Sequence, residues 1–188
     1  DAKVFLRDSE IQNVNGNFKA TVNLSLGSNY FYFVFQDKAG NKSKTTIEIK
    51  RISITKIVLQ IGKPDMFVNG KVIPIDSESK ITPMIESGRT LIPIRAVVES
   101  LGGYVSWDKI EKKIVLLLDK NKVEMWVGKN TALVNGKETY IDSSNPNIMP
   151  KIVSGRTFVP LRFVAESLGA QVEWDEKTQT IIITYTRS

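Results

Sequence analysis

The sequence predicts an α+β fold: two tandem units, each of about five strands around one helix, preceded by an all-β fragment. Three observations carry that prediction. Ser87 to Asp108 reads S-G-R-T-L-I-P-I-R-A-V-V-E-S-L-G-G-Y-V-S-W-D and returns as Ser154 to Asp175, S-G-R-T-F-V-P-L-R-F-V-A-E-S-L-G-A-Q-V-E-W-D, at an offset of 67 residues. Within each copy the apolar residues change from alternation to an i, i+3, i+4, i+7 stripe and back, the signature of strand, helix and strand. The first 52 residues carry only the alternating pattern. The expected divisions are therefore 1–52, 53–120 and 121–188.

In residues 1–52, Phe18, Ala20, Val22 and Leu24 alternate with Lys19, Thr21 and Asn23, which predicts a half-buried strand. Tyr30 to Phe35 is apolar throughout and reads as a strand buried on both faces. Asp37 to Asn41 reads as a turn, since its spacing matches no EF-hand loop. Thr46 to Lys50 alternates again as a closing strand. Each later unit opens on a strand, with Ile57, Leu59 and Ile61 matching Val123, Met125 and Val127 on the buried face. Val68-Asn69-Gly70-Lys71 and Val134-Asn135-Gly136-Lys137 follow, and Asn-Gly between apolar runs is a strong hairpin signal. Pro93 suits a first helical position. Gly102 and Gly169 suit a left-handed C-terminal cap, and a hairpin closes each unit.

Composition excludes more than it selects. The chain has no cysteine and no histidine, so disulfides, thiolate chemistry, imidazole metal sites and Ser-His-Asp or Cys-His nucleophiles are out of reach. There is no Walker loop and no G-x-G-x-x-G, and no acidic pair stands out, so no enzyme and no cofactor are expected. The net charge of +6 is spread as +3, +2 and +1 over the three segments. Without a basic cluster, nucleic acid is not an expected partner. No apolar run approaches the roughly 20 residues of a membrane span. Without a charged-then-apolar leader, a mature or excised soluble segment is expected.

Two resemblances follow. The aromatic strand, D-x-A-G-N turn and closing strand of residues 1–52 resemble the C-terminal half of a bacterial immunoglobulin-like domain, about half the usual sandwich; truncation is the favoured reading, making the chain the tail of a longer polypeptide. The pattern V-N-G-K, S-G-R-T-x-x-P-x-R-x-V-x-E-S-L-G and V-x-W-D over residues 57 to 186 resembles two tandem copies of the copper amine oxidase N-terminal, or stalk, domain. That resemblance implies a non-catalytic module of secreted or cell-surface bacterial proteins, with adhesion or wall association the usual supposition. Implied partners are cell-wall or other anionic or insoluble polysaccharide, or a catalytic domain of the same polypeptide that the module stabilises or regulates. The oxidase's copper chemistry is not implied, because its imidazole ligands are missing.

Candidate residues come from the duplication. Arg89 and Arg156 either meet an anionic polymer or hold their turns through Asp108, Asp175 or a loop carbonyl; the turn role is favoured. Trp107 and Trp174 either stack on sugars or anchor the core of each unit, and the core role is favoured. Trp126, Tyr140 and Phe163 stand where the first copy has Gln60, Pro74 and Ala96. They form either an exposed aromatic surface or the packing between copies, which is favoured. Such packing would give a stiff tandem spacer.

Overall fold

The computed structural model describes residues 3–15 and 17–188. It separates into two compact units, Asp1–Ser53 with Thr186–Ser188, and Ile54–Tyr185.

The first unit is a four-stranded antiparallel sheet in the order β2-β1-β5-β6, built from β1 (Lys3–Leu6), β2 (Ser9–Ile11), β5 (Gly27–Gln36) and β6 (Lys42–Arg51), with a small hairpin of β3 (Asn13–Val14) and β4 (Asn17–Phe18). Val4 and Phe31 are its buried apolar side chains. Two expectations are corrected here. Residues 19–25 form no strand. Tyr30 to Phe35 is not buried on both faces: Tyr30, Tyr32 and Phe35 are exposed, and of this run only Phe31 is buried. Asp37 to Asn41 is a turn closed by Asp37, whose Oδ1 accepts the Asn41 backbone N–H at 2.9 Å.

The second unit overturns the expected α+β plan of two successive units, each wrapped on its own helix. The chain is mostly β, 55% strand against 7% helix, and its strands are distributed over several small sheets. The elements run β7 (Ser53–Gln60), β8 (Asp65–Val68), β9 (Lys71–Pro74), β10 (Met84–Glu86), β11 (Arg89–Pro93), α1 (Arg95–Ser100), β12 (Tyr104–Asp108) and β13 (Lys113–Leu118) through the first copy. The second copy gives β14 (Asn121–Trp126), β15 (Thr131–Val134), β16 (Lys137–Tyr140), β17 (Lys151–Val153), β18 (Arg156–Pro160), α2 (Leu161–Ser167), β19 (Gln171–Asp175) and β20 (Thr180–Arg187).

The sheets do not respect the copies. One five-stranded sheet runs β12-β13-β14-β15-β16 and the other β19-β20-β7-β8-β9, so each joins the closing hairpin of one copy to the three opening strands of the other. The cause is local. Leu118 pairs with Asn121 across a tight turn in which Asp119 takes a φ of 50°, so the last strand of copy one folds back on the first strand of copy two. The boundary expected at 120/121 falls inside that hairpin. A four-stranded sheet, β10-β11-β18-β17, joins the S-G-R-T strands, and there Ile92 pairs with Val159, its own counterpart 67 residues on. The duplication is thereby a local two-fold.

One core serves both copies. Ile57, Leu59 and Met66 from the first opening strands, Val123 and Met125 from the second, and Leu116, Ile181 and Ile183 from the closing hairpins are at most 1% exposed and belong to a single apolar cluster. Both Asn-Gly hairpins form as the spacing predicts, with Val68 opposite Lys71 and Val134 opposite Lys137. Pro93 closes β11 instead of opening the helix, which starts at Arg95. After α1 the Gly102 N–H bonds the Glu99 carbonyl and the Gly103 N–H that of Val98, the paired bonds of a Schellman cap around a φ of +83° at Gly102.

Candidate functional site

Three features of the second unit carry side-chain chemistry. The first is a pair of crossed clamps. Arg156 Nε donates to Asp76 Oδ2 at 2.5 Å and its Nη2 to Glu78 at 2.6 Å, while Arg89 Nε donates to Asp142 Oδ2 at 2.5 Å and its Nη2 to Ser144 at 3.2 Å. Each arginine therefore reaches an aspartate of the other copy. Each aspartate also closes its own loop: Asp76 Oδ1 accepts from the backbone of Glu78 and Ser79, Asp142 Oδ1 from that of Ser144 and Asn145. The Arg156 guanidinium, then the backbone bonds, hold the Asp76 carboxyl well below its ordinary value. The Ser144 hydroxyl, then Arg89, bring Asp142 to about 2.

Of the expected partners of these arginines, a loop carbonyl, that of Gly88, accepts from Arg89 Nη1 at 3.3 Å, while Asp108 and Asp175 are engaged elsewhere. Asp108 Oδ1 accepts the N–H groups of Ile110 and Glu111, and Asp175 Oδ1 those of Lys177 and Thr178, so both close the hairpins that follow them. Short loop carboxylates next in sequence to a turn satisfy that turn first. Asp76 and Asp142 went unnoticed among the candidates, although Ile75-Asp76-Ser77 recurs as Ile141-Asp142-Ser143.

The second feature is a groove of about 950 Å³ beside α1. Ile73, Ile75, Ile94, Ala96 and Val105 contribute apolar lining, Trp107 an aromatic one, and Asp76, Glu78, Glu99, Arg95 and Arg156 charges. Trp107 pairs with Ile114 on the core-facing side of β12, and Trp174 with Ile181 on β19. Because β12 and β19 are edge strands, both indoles stay 37% and 36% exposed, short of the full burial expected of core anchors.

The third feature is the outer face of the β12–β16 sheet. Lys113 pairs with Trp126, and Thr131, which follows in register after the Met125–Ala132 pair, pairs with Tyr140. The row Lys113, Trp126, Thr131, Tyr140 thus crosses the sheet on the side away from the core. Lys129 Nζ lies 5.0 Å and Lys113 Nζ 5.9 Å from the Trp126 ring centre, within cation–π range. Tyr140 is 62% exposed. Phe163 does not join them: it packs half-buried against the core. Of the three aromatic differences between copies, the structure brings two together on one surface and puts the third inside. Lysines as a class are expected contacts beside Trp126, but which ones is not legible: Lys129 follows it by three residues through a turn, and Lys113 neighbours it across strands.

Among the described residues no three of Asp, Glu, His and Cys gather as metal ligands, and no helix is long and apolar enough to cross a membrane. Neither a curated protein nor a solved structure matches the chain. The family model for the copper amine oxidase N-terminal domain matches residues 77–183, one span that starts in the first copy and ends in the second. The donor set here offers neither imidazole nor thiolate, so it does not fit the copper of that family's name. The N-terminal domain of this family is a non-catalytic, stalk-like module. With more than half its length inside the match, the chain belongs to the copper amine oxidase N-terminal domain family.

Proposed function

We propose that the chain is a spacer or tether within a larger secreted or cell-surface protein, holding that protein to cell wall or another insoluble polymer. In this reading residues 1–52 are the end of an immunoglobulin-like domain, and the 54–185 unit carries the contact. The observation that supports it most is the outer row of the β12–β16 sheet, where an indole and a phenol stand beside two lysines. Aromatic faces meet the C–H side of sugar rings, and ammonium groups meet phosphate or carboxylate. The corresponding positions on the sister sheet are Gln60 and Pro74, so this surface belongs to one sheet only.

The test is co-sedimentation of the whole chain with Gram-positive sacculi, with and without teichoic acid, and with insoluble polysaccharide. Wild type is expected to pellet and to be released as salt rises from about 0.1 M to about 1 M, over which the screening length falls from roughly 10 to 3 Å. Trp126→Ala is expected to lower the pelleted fraction severalfold at every salt concentration. Wild type remaining in the supernatant with every polymer sinks the reading.

A second reading, an accessory domain that stabilises or regulates a hydrolase of the same polypeptide, is favoured by the outer face of the other sheet. There Val58, Phe67 and Val72 lie in one cross-strand row, with Phe67 48% and Val72 61% exposed. Such a face suits a protein surface better than a sugar. Phe67→Ser would then lower the thermal stability of the complete polypeptide's catalytic domain without changing polymer pelleting.

A further inference from the structure

Several residues that line the groove beside α1 differ in bulk or charge from their counterparts across the local two-fold. Ala96 lines it, and the same helix position in the second copy is Phe163, which is packed half-buried against the core. A phenyl ring at 96 would occupy the space that the alanine leaves open. Around the opening, Ser106 and Lys109 correspond to the bulkier or acidic Glu173 and Glu176. At this helix position the first copy carries the smaller side chain.

The chemistry of the opening selects its occupant. Its lining charges are three basic groups, Arg95, Lys109 and Arg156, and three acidic ones, Asp76, Glu78 and Glu99. Arg156 is paired with Asp76 and Glu78, and Arg95 with Glu99 at 3.3 Å. The wall therefore presents donors and acceptors side by side with no net charge, complementary to a neutral ligand rich in hydroxyls or amides. Trp107, 37% exposed above an apolar floor, supplies a flat surface for C–H groups. The volume, about 950 Å³, lies at the upper end of the roughly 300–1,000 Å³ of small-ligand sites.

An extended peptide is disfavoured. It would bind by adding a strand to β12 or β9, the sheet edges that flank the groove. On β12 the Val105 carbonyl is already bonded by Arg95 Nη1 at 3.1 Å. On β9 the lining residue Pro74 has no N–H to offer.

We propose that this groove is a binding site for a neutral oligosaccharide segment, with Trp107 as its stacking platform, the Arg156–Asp76–Glu78 cluster as its polar wall and Ala96 as the residue that keeps it open. The proposal rests on the reading of the chain as a polymer tether and gives that reading a second, uncharged contact, separate from the Trp126 row.

The isotope-labelled whole chain is titrated with the β-1,4-linked tetramers of glucose and of N-acetylglucosamine, following the indole N–H signals. At least one tetramer is expected to shift the Trp107 signal, saturating at millimolar concentration, with Trp126 unmoved. Ala96→Phe, a side chain that the fold already carries at the equivalent position, is expected to weaken binding at least about tenfold while leaving the circular dichroism unchanged. Trp107→Ala is expected to abolish it. No shift at Trp107 with either tetramer at about 10 mM, equal affinity in Ala96→Phe, or tighter binding there of a galacturonate tetramer or an extended peptide each overturns the proposal. Sedimentation separates it from the tether reading. Polymer pelleting that persists with no tetramer binding sinks the groove alone. Tetramer binding sensitive to Ala96→Phe, with no pelleting, sinks the tether alone.

Discussion

The two five-stranded sheets of the 54–185 unit have the same plan and opposite histories. β12 to β16 follow one another along the chain, each strand turning directly or through a short loop into its neighbour. The sister sheet brings β19 and β20, near residue 180, against β7 to β9, near residue 60. Matching buried faces are thus assembled once from local contacts and once by closing a loop longer than about a hundred residues. Chain closure of that length has an entropic cost that must be met before the distant contacts form, which delays them in folding. The difference teaches that equal burial does not imply equal order of formation.

The largest effect expected is on two core side chains, one per sheet. Leu116 and Ile183 are both 0% exposed. Leu116→Ala and Ile183→Ala are each expected to destabilise the unit by about 3 kcal/mol, and equilibrium denaturation should hardly distinguish them. Kinetics should. Leu116→Ala is expected mainly to slow refolding and Ile183→Ala mainly to speed unfolding, because the local meander forms first. All three tryptophans lie in this unit, so stopped-flow fluorescence reports on it directly. Equal partition of the two losses between refolding and unfolding rates would break the comparison.

Acid separates the two clamps. Asp76 and Asp142 both have carboxyls held below the ordinary 3.8, Asp76 the further of the two. A carboxylate whose folded value is depressed contributes stability that is fully present above its unfolded value and is lost as pH falls towards the folded one. The melting temperature of the wild type should therefore hold down to about pH 5 and fall between there and pH 2. Asp76→Asn should flatten that fall more than Asp142→Asn. Its clamp takes two carboxylates, Asp76 and Glu78, onto one guanidinium, whereas Arg89 has one carboxylate and a hydroxyl. Indistinguishable pH profiles for the two variants would mean that the clamps are equivalent.

How much of this was legible depended on the range of the interaction. The Asn-Gly hairpins, the glycine caps and the buried face of β7 and β14 are set within a few residues and could be read directly. The exchange of strands between copies could not. Periodicity says which residues face inward but not which strand lies alongside, and the one local clue, the turn at Asp119-Lys120, was read as a boundary because the repeat ends there. The same limit points to Asp108, Asp175 or a loop carbonyl for Arg89 and Arg156; Arg89 Nη1 does donate to the Gly88 carbonyl at 3.3 Å, but the carboxylates come from the other copy. For the candidate surfaces, comparing copies singled out Trp126, Tyr140 and Phe163 as differences, while the helical stripe around Phe163 could not tell what packs beside that ring. Ala96 was legible only as the counterpart of Phe163, since a small residue announces nothing until the space beside it is seen.

The smallest effect expected lies in the turns that open the two sheets. Asn69 and Asn135 occupy matching positions with φ of 48° and 52°, a conformation that asparagine adopts more readily than alanine. Each also uses Oδ1 to accept a backbone N–H at 2.8 Å, from Lys56 and from Lys122. Asn→Ala at either site therefore loses a local bond and the left-handed preference together, about 1 kcal/mol. The sites differ in one bond: Asn135 Nδ2 donates to Asn121 Oδ1 at 3.3 Å, and Asn121 Nδ2 in turn donates to the Leu168 carbonyl at the end of α2. Asn135→Ala is accordingly expected to cost a few tenths of a kcal/mol more than Asn69→Ala. The Asn135→Ala/Asn121→Ala double mutant should be less destabilised than the sum of its single changes. Strict additivity there would mean that the turn and the helix end are not coupled, and that the two sheets meet their opening turns in the same way.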